Sequence, residues 1–453
     1  MFGLCKLEDS NPPVAPIAEE IYPPRVFLGA RVGSQRLRQA AVTSFFVVLL
    51  FVMWGITLVE DLHGWRFTYR PPNVVSGDEI HYLLAINTLL FHHQFELQDA
   101  YARARRDGSR EAAGHYLPDD HTWLVNRRTG AHCTYFAGCG FSHPSPDVYE
   151  VSIHAMGYPL FIAGLLVPLR PPLEHVSVDI SRITVLVSWL TVVITYLIAV
   201  RIGMPWGFAL FTAATVGLAS PCLAYTRSYF SEPEIGLSLA LSLWAFESDR
   251  PKLAALGAGV ASWFKAPLGL AAIGFVIDRL WSGRWRDAAE MFLVLGLYAA
   301  VLLGFNYWLA RMWLIGNLGA PVKFDFSALR QTLIGSYHGL FVFAPWTIVA
   351  FASLLLGWRH SVVRRIAVPV LVYLIVISSV GVAASASYGP RHWVPFLPWL
   401  AIAAVESVRS SRLMPVFVVL VALSVTIAIP GALHYHHLFD VPVTYPFGIL
   451  ATK

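Results

Sequence analysis

Charge is scarce in this chain. Of 453 residues, 33 are Lys or Arg and 28 are Asp or Glu, 13% together, where soluble globular proteins carry about 25%. Hydrophobic residues reach 56% and the mean hydropathy is +0.58. A soluble enzyme, a disordered chain and a coiled coil are excluded on these figures. Cysteine is also sparse: Cys5, Cys133, Cys139 and Cys222 make neither a zinc ribbon nor a disulfide framework. No basic run with interleaved aromatics marks a nucleic-acid groove. Alternating ten-residue segments are missing, which removes a β-barrel. No cleavable signal peptide is expected, since residues 1–40 carry Lys6, Arg25, Arg31, Arg36 and Arg38 and a full-length apolar span follows. That first helix is expected to act as an uncleaved signal anchor.

What is present is a series of apolar runs, several of them near the roughly 20 residues that a spanning helix needs and two of them, 253–264 and 267–281, short. They lie at 41–60, 177–200, 206–224, 233–247, 253–264, 267–281, 288–311, 338–357, 366–385, 392–407 and 413–430. A further run, 153–169, is short, holds Pro159 and Pro168, and ends in Arg170-Pro171-Pro172. Whether it spans decides the sidedness of everything after it. With this run at the interface and the N-terminus cytoplasmic, the cytoplasmic loops collect Arg201, Arg250, Lys252, Arg279, Arg284, Arg286, Arg359, Arg364, Arg365, Arg409 and Arg412. The positive-inside rule selects that arrangement.

The expected fold is therefore an all-α polytopic membrane protein with about 11 transmembrane helices. A long outer loop carrying interfacial helices follows the first. The division reads 1–40 cytoplasmic segment, 41–60 first helix, 61–176 extracytoplasmic loop, 177–430 bundle, and 431–453 extracytoplasmic tail. Within the loop, the spacing of Ile80, Leu83, Leu84, Ile86, Leu89 and Leu90 predicts a surface helix over 79–107. Cys133 and Cys139 share the loop and could pair in an oxidising compartment. The runs 253–264 and 267–281 meet at Lys265-Ala266-Pro267. Either they form a hairpin with Lys265 at its tip, or one long helix kinks at the proline; the hairpin preserves the charge sidedness and is the expectation.

Ionisable groups at membrane depth are costly and mark function by default. Asp78 and Glu79 follow the first span. Arg227, Glu232 and Glu234 fall between two spans, Lys265 at the hairpin tip, and His338, Arg391 and His392 at helix starts. By this topology all gather on the outer side. Such a set suits an anionic, membrane-borne substrate: Arg227, Lys265 and Arg391 could hold a phosphate, and Asp78 could take a proton from an attacking hydroxyl. His81, Tyr82, Glu232, Glu234, His338, Tyr388 and His392 complete the candidate substrate site. Each has a plainer reading. The tyrosines suit an interfacial aromatic belt, Arg227 with the two glutamates an ion pair, and Asp78-Glu79 a helix N-terminus.

From about residue 41 to 408 the chain resembles the GT-C superfamily of membrane glycosyltransferases. The resemblance is carried by Gly77-Asp78-Glu79 with His81-Tyr82 after the first span, and by the segment His154–Pro159. It continues in Ser228–Pro233, the Lys265 hairpin and Tyr388–Arg391. It implies inverting transfer of a single sugar from a polyprenyl-phosphate donor to a glycolipid or cell-envelope glycan hydroxyl. Asp78 would be the base, Glu79 a supporting acid, and basic residues would hold the donor phosphate. The implied partners are that donor, a lipid or glycan acceptor and membrane lipids, in a bacterial inner (plasma) membrane. No cofactor and no metal site is expected. A divalent cation is the alternative, since Asp78 and His81 share a helical face, but the loop lacks a recognised ligand spacing. The competing readings are a lipid or glycan transporter or flippase, and an O-antigen-ligase-like enzyme using a diphosphate-linked donor. Charge gathered on one face without a repeated half disfavours the first, and the early position of the loop disfavours the second.

Overall fold

The computed structural model describes residues 27–64, 77–107, 122–134, 147–152, 154–313, 323–358, 360–379 and 389–433. The chain divides into two units, residues 1–47 and 48–453. The first holds, among the described residues, the opening part of helix α1 (Phe27–Gly64). Most of residues 1–40 and of the tail 431–453 lie outside the described residues.

In the second unit, α2 (Gly77–Asn87) runs into one π-helical turn, Thr88–His92, closed by His93 at φ 53°. After α3 (Gln98–Asp107) come three short strands, β1 (Thr122–Asn126), β2 (His132–Thr134) and β3 (Val148–Ser152). They form an antiparallel sheet in the order β2-β1-β3, with Trp123 opposite Thr134 on one side and Val151 on the other. The sheet corrects the all-helical expectation for the outer loop. Its strands are three to five residues long, and β3 is buried on both faces, so no alternation announces it.

The bundle follows. It comprises α4 (Gly157–Leu166), α5 (Val176–Arg201), α6 (Trp206–Leu218), α7 (Cys222–Tyr225), α8 (Glu232–Glu247), α9 (Pro251–Phe264), α10 (Ala271–Trp281) and α11 (Trp285–Ala310). It closes with α12 (Phe326–Ile334), α13 (Leu340–Phe343), α14 (Thr347–Leu356), α15 (Ser361–Ser379), α16 (Leu397–Val408) and α17 (Met414–Leu433). Among the described residues five helices are long and apolar enough to cross a membrane: Gln35–Ile56, Leu173–Arg201, Trp285–Ala310, Ser361–Ser379 and Met414–Leu433. The protein is thus a mostly helical membrane protein. Several expected continuous runs are broken. The run 338–357 splits between α13 and α14 at Pro345, which lacks an N–H donor. The run 206–224 stops at Leu218, ahead of Pro221, and 392–407 opens as a 3₁₀ turn, Arg391–Phe396.

Side-chain contacts define two ends of the bundle. At one end, Arg279 of α10 and Arg284 both reach Asp249 in the turn after α8, at 2.9 and 2.6 Å. The hydrogen bond from Arg284 holds the Asp249 carboxyl below its usual range. Arg201 Nε donates to the Glu247 carbonyl (3.1 Å), Arg365 pairs with Glu247 (2.8 Å), and Arg409 reaches the Gly203 carbonyl (3.3 Å). The end of α10 therefore lies beside the start of α9, and the chain doubles back between them. The pair α9–α10 is the expected hairpin, with extended Lys265 (φ −146°, ψ 109°) at its tip. Phe246 and Phe275 stack at 4.5 Å beneath Arg279, and Phe275 continues to Trp399 at 5.4 Å. This aromatic column fixes α8, α10 and α16 by packing, which is what holds helices together where lipid is as apolar as the core.

Candidate functional site

At the opposite end, the tip of the hairpin meets the start of α8. Lys265 Nζ donates to Glu232 Oε1, and the same oxygen lies 3.4 Å from Arg391 Nε. Arg391 Nη1 then donates to Asp78 Oδ2 at 2.9 Å, and Asp78 Oδ1 lies 3.6 Å from His154 Nε2. Lys265 Nζ is also 3.3 Å from His392 Nδ1. Five separate stretches of chain thus place Asp78, His154, Glu232, Lys265 and Arg391–His392 in one connected group. Glu232 is 1% exposed and Arg391 6%, while Asp78 keeps 19% of its side chain accessible. Charge this buried survives only by being paired.

Local sequence explains the placement. Asp78 and Glu79 open α2, where carboxylates favour the N-terminal dipole, and a step of about 100° per residue sends them to different neighbours. Glu79 is fully buried, and its Oε1 accepts the backbone N–H of Tyr229 at 3.0 Å. Glu79 anchors α2 to the segment before α8, whereas Asp78 faces the cluster. Arg391 is aimed by Gly389, whose φ of +55° suits glycine; a Cβ there would come within 2.7 Å of Phe343. The Tyr373 hydroxyl donates to the His392 carbonyl (3.0 Å) and steadies the 3₁₀ turn. Arg391 also lies over the Phe230 ring, 4.3 Å from its centroid.

The other predicted residues take varied places. Tyr82 packs against His154 (5.2 Å) and edge-on against Tyr158 (4.9 Å). Burial first, then nearby Glu232 and Asp78, hold its phenol far above its usual pKa, so it stays protonated. His81 lies 3.0 Å from the Tyr101 hydroxyl. Glu234 turns toward Thr184, 3.5 Å away. Arg227 donates to the Ala432 carbonyl at 3.1 Å and so ties the segment before α8 to the end of α17. His338 Nδ1 lies 3.3 Å from the Gly389 carbonyl, and it borders a cavity of about 670 Å³ with Arg330, Gln331 and Tyr337. Tyr388 lies outside the described residues. Cys133 is disulfide-bonded and Cys222 is free; Cys5 and Cys139 lie outside the described residues. Among the described residues no three His, Cys, Asp or Glu side chains stand close enough to hold a metal ion.

Sequence reasoning gave no site role to His154 or Phe230. His154 opens the segment His154–Pro159, which carries part of the resemblance, and Phe230 sits between the candidates Arg227 and Glu232. The arrangement offers an accessible carboxylate, two cations converging on one buried glutamate, and a protonated phenol. No protein-family model matches this chain, and no curated protein matches it.

Proposed function

We propose that this protein is a membrane glycosyltransferase of the GT-C type. It moves a single sugar from a polyprenyl-phosphate donor to the hydroxyl of a glycolipid or envelope-glycan acceptor on the extracytoplasmic face. The observation that carries this reading is the direct contact of Arg391 with Asp78, beside Lys265, at the end of the bundle opposite the arginine-rich turns. By the positive-inside rule those turns are cytoplasmic. The bundle has about 11 transmembrane helices in this reading, with the N-terminus inside and the tail outside.

The chemistry follows from what each group can do. The acceptor oxygen attacks the anomeric carbon from the face opposite the phosphate, and its proton passes to Asp78. The bond from anomeric carbon to phosphate oxygen breaks, and polyprenyl phosphate leaves with inversion at the sugar. Lys265 and Arg391 stabilise the charge that grows on the phosphate. A phosphate competes for the same guanidinium that Asp78 occupies, because Arg binds phosphate and carboxylate with one fork. Donor binding therefore draws Arg391 off Asp78 Oδ2, and that oxygen takes the acceptor's proton. Glu232 keeps the two cations in register.

Protein reconstituted in nanodiscs with native membrane lipids, and supplied with synthetic polyprenyl-phosphate mannose, glucose, arabinofuranose or aminoarabinose, tests the reading by mass spectrometry of the products. One donor is expected to be consumed. Asp78→Asn should lower turnover by about 10²–10⁴, the usual contribution of a general base, and Lys265→Met should raise the KM for donor. Full activity in both Asp78→Asn and Asp78→Ala removes Asp78 as base. Turnover only with diphosphate-linked donors, or movement of lipid without a product, removes the proposal.

A further inference from the structure

We infer that a second pocket, with none of its walls drawn from the Asp78 cluster, binds a neutral saccharide unit of the acceptor; this rests on the transferase reading. The pocket encloses about 550 Å³ between the start of α3, the sheet and the end of α11, a size suited to a small organic ligand. Its floor is Tyr149, buried, with its hydroxyl donating to the Leu309 carbonyl at 2.8 Å. Arg127 lies over the Tyr149 ring, 4.7 Å from the centroid, and pairs with Glu96. Trp308 is 58% exposed yet is held edge-on by Phe95, with ring centroids 5.5 Å apart at 86°. An exposed indole fixed in this way is a preformed stacking face.

Arg311 ends α11 at a left-handed φ of 55°, a position that glycine takes without strain. Its long cationic side chain is present in spite of that backbone cost, at the pocket rim. The formal charges in the lining cancel: Glu96 and Asp99 against Arg127 and Arg311. A phosphate or carboxylate ligand would gain little here. A sugar ring would lay its C–H face on Trp308 and present hydroxyls to Gln98, Asp99 and Arg311, which offer amide, carboxylate and guanidinium partners. Two of the elements that line the pocket also touch the surroundings of the cluster. Helix α3, which carries Gln98 and Asp99, carries Tyr101 at His81. Strand β3, which carries Tyr149, ends at Ser152, whose Oγ accepts the His154 backbone N–H at 3.0 Å.

Ligand-observed saturation-transfer NMR on the protein in nanodiscs tests the site, with methyl-capped trisaccharides of glucose, mannose and arabinofuranose as probes. At least one is expected to bind. Trp308→Ala should weaken that probe about tenfold, as truncating an aromatic anchor does, while Trp308→Phe, which keeps a ring, should retain most of the binding. Asp78→Asn should bind like the unaltered protein while losing transfer, so loss of transfer and loss of binding are separately read. Tighter binding of the same trisaccharide carried on a lipid assigns the pocket to a glycolipid acceptor, and equal binding to a free glycan. If no probe binds, or if Trp308→Ala binds as well as the unaltered protein, the inference falls; binding at Trp308 with no donor turnover would instead sink the transferase reading alone.

Discussion

At Glu232 one carboxylate oxygen serves two cations, Lys265 and Arg391, in a setting where its side chain is 1% exposed. Removing one partner of a buried pair leaves an uncompensated charge and costs about 3–5 kcal/mol. Glu232→Gln should therefore lower the thermal unfolding midpoint in a fixed detergent well beyond the shift from Glu406→Gln, whose partner Arg409 is more exposed. Adding Lys265→Met to Glu232→Gln should recover much of the loss, because one orphaned cation goes with its partner. Equal midpoints for Glu232→Gln and the unaltered protein would show that the pair stabilises nothing. The sequence made all these residues visible, since a charge at a helix end in an apolar chain stands out. It could not separate neighbours: Asp78 and Glu79 read as one acidic motif, yet one faces the cluster and the other holds the Tyr229 backbone. That division depends on helix phase and on the partner across 150 residues of chain.

Among the elements, α4 decides how the outer segment seats on the bundle. Gly157, at its start, lies so close to α9 that a Cβ would meet the Trp263 carbonyl oxygen at 2.1 Å, while Gly164 in the same helix has nothing within 4 Å. Gly157→Ala must push α4 off α9, and His154, three residues earlier, moves with it away from Asp78. The expected result is a lower unfolding midpoint and loss of most of the proposed transferase turnover. Gly164→Ala should be neutral or stabilising by up to about 1 kcal/mol, the helix preference of Ala over Gly, with activity intact. If both variants behave alike in the same melting and turnover measurements, the close approach does not matter. The helices were legible because long apolar runs have few alternatives. The sheet was not, because strands of three to five residues fall below any periodicity. The breaks at Pro345 and Pro221 were legible in the prolines themselves, but run length alone hid them.

The whole molecule sorts its charge between two ends. Arginines gather where Asp249, Glu247 and Asp278 receive them, and the mixed acid–base cluster sits at the other end. In the sequence this division rested on loop counting; in the fold it rests on contacts between helices that run the length of the bundle. The convergence of five distant segments on Glu232 and Asp78 had no sequence signal beyond shared sidedness, since pairing across the bundle is set by tertiary packing. Sidedness relative to the membrane is measurable directly. Glu174, exposed just before α5, belongs to the end that holds the cluster, because Tyr229, whose N–H binds Glu79, donates its hydroxyl to the Ser177 carbonyl at 3.2 Å. Arg286, exposed at the start of α11, belongs to the arginine end. Glu174→Cys and Arg286→Cys, each made with Cys5→Ser and Cys222→Ser, can be treated with a membrane-impermeant maleimide before and after permeabilising cells stripped of their outer envelope. Glu174→Cys should label in intact cells, and Arg286→Cys only after permeabilisation. The reverse pattern would put Asp78, Lys265 and Arg391 on the cytoplasmic face, where the proposed extracytoplasmic transfer could not take place.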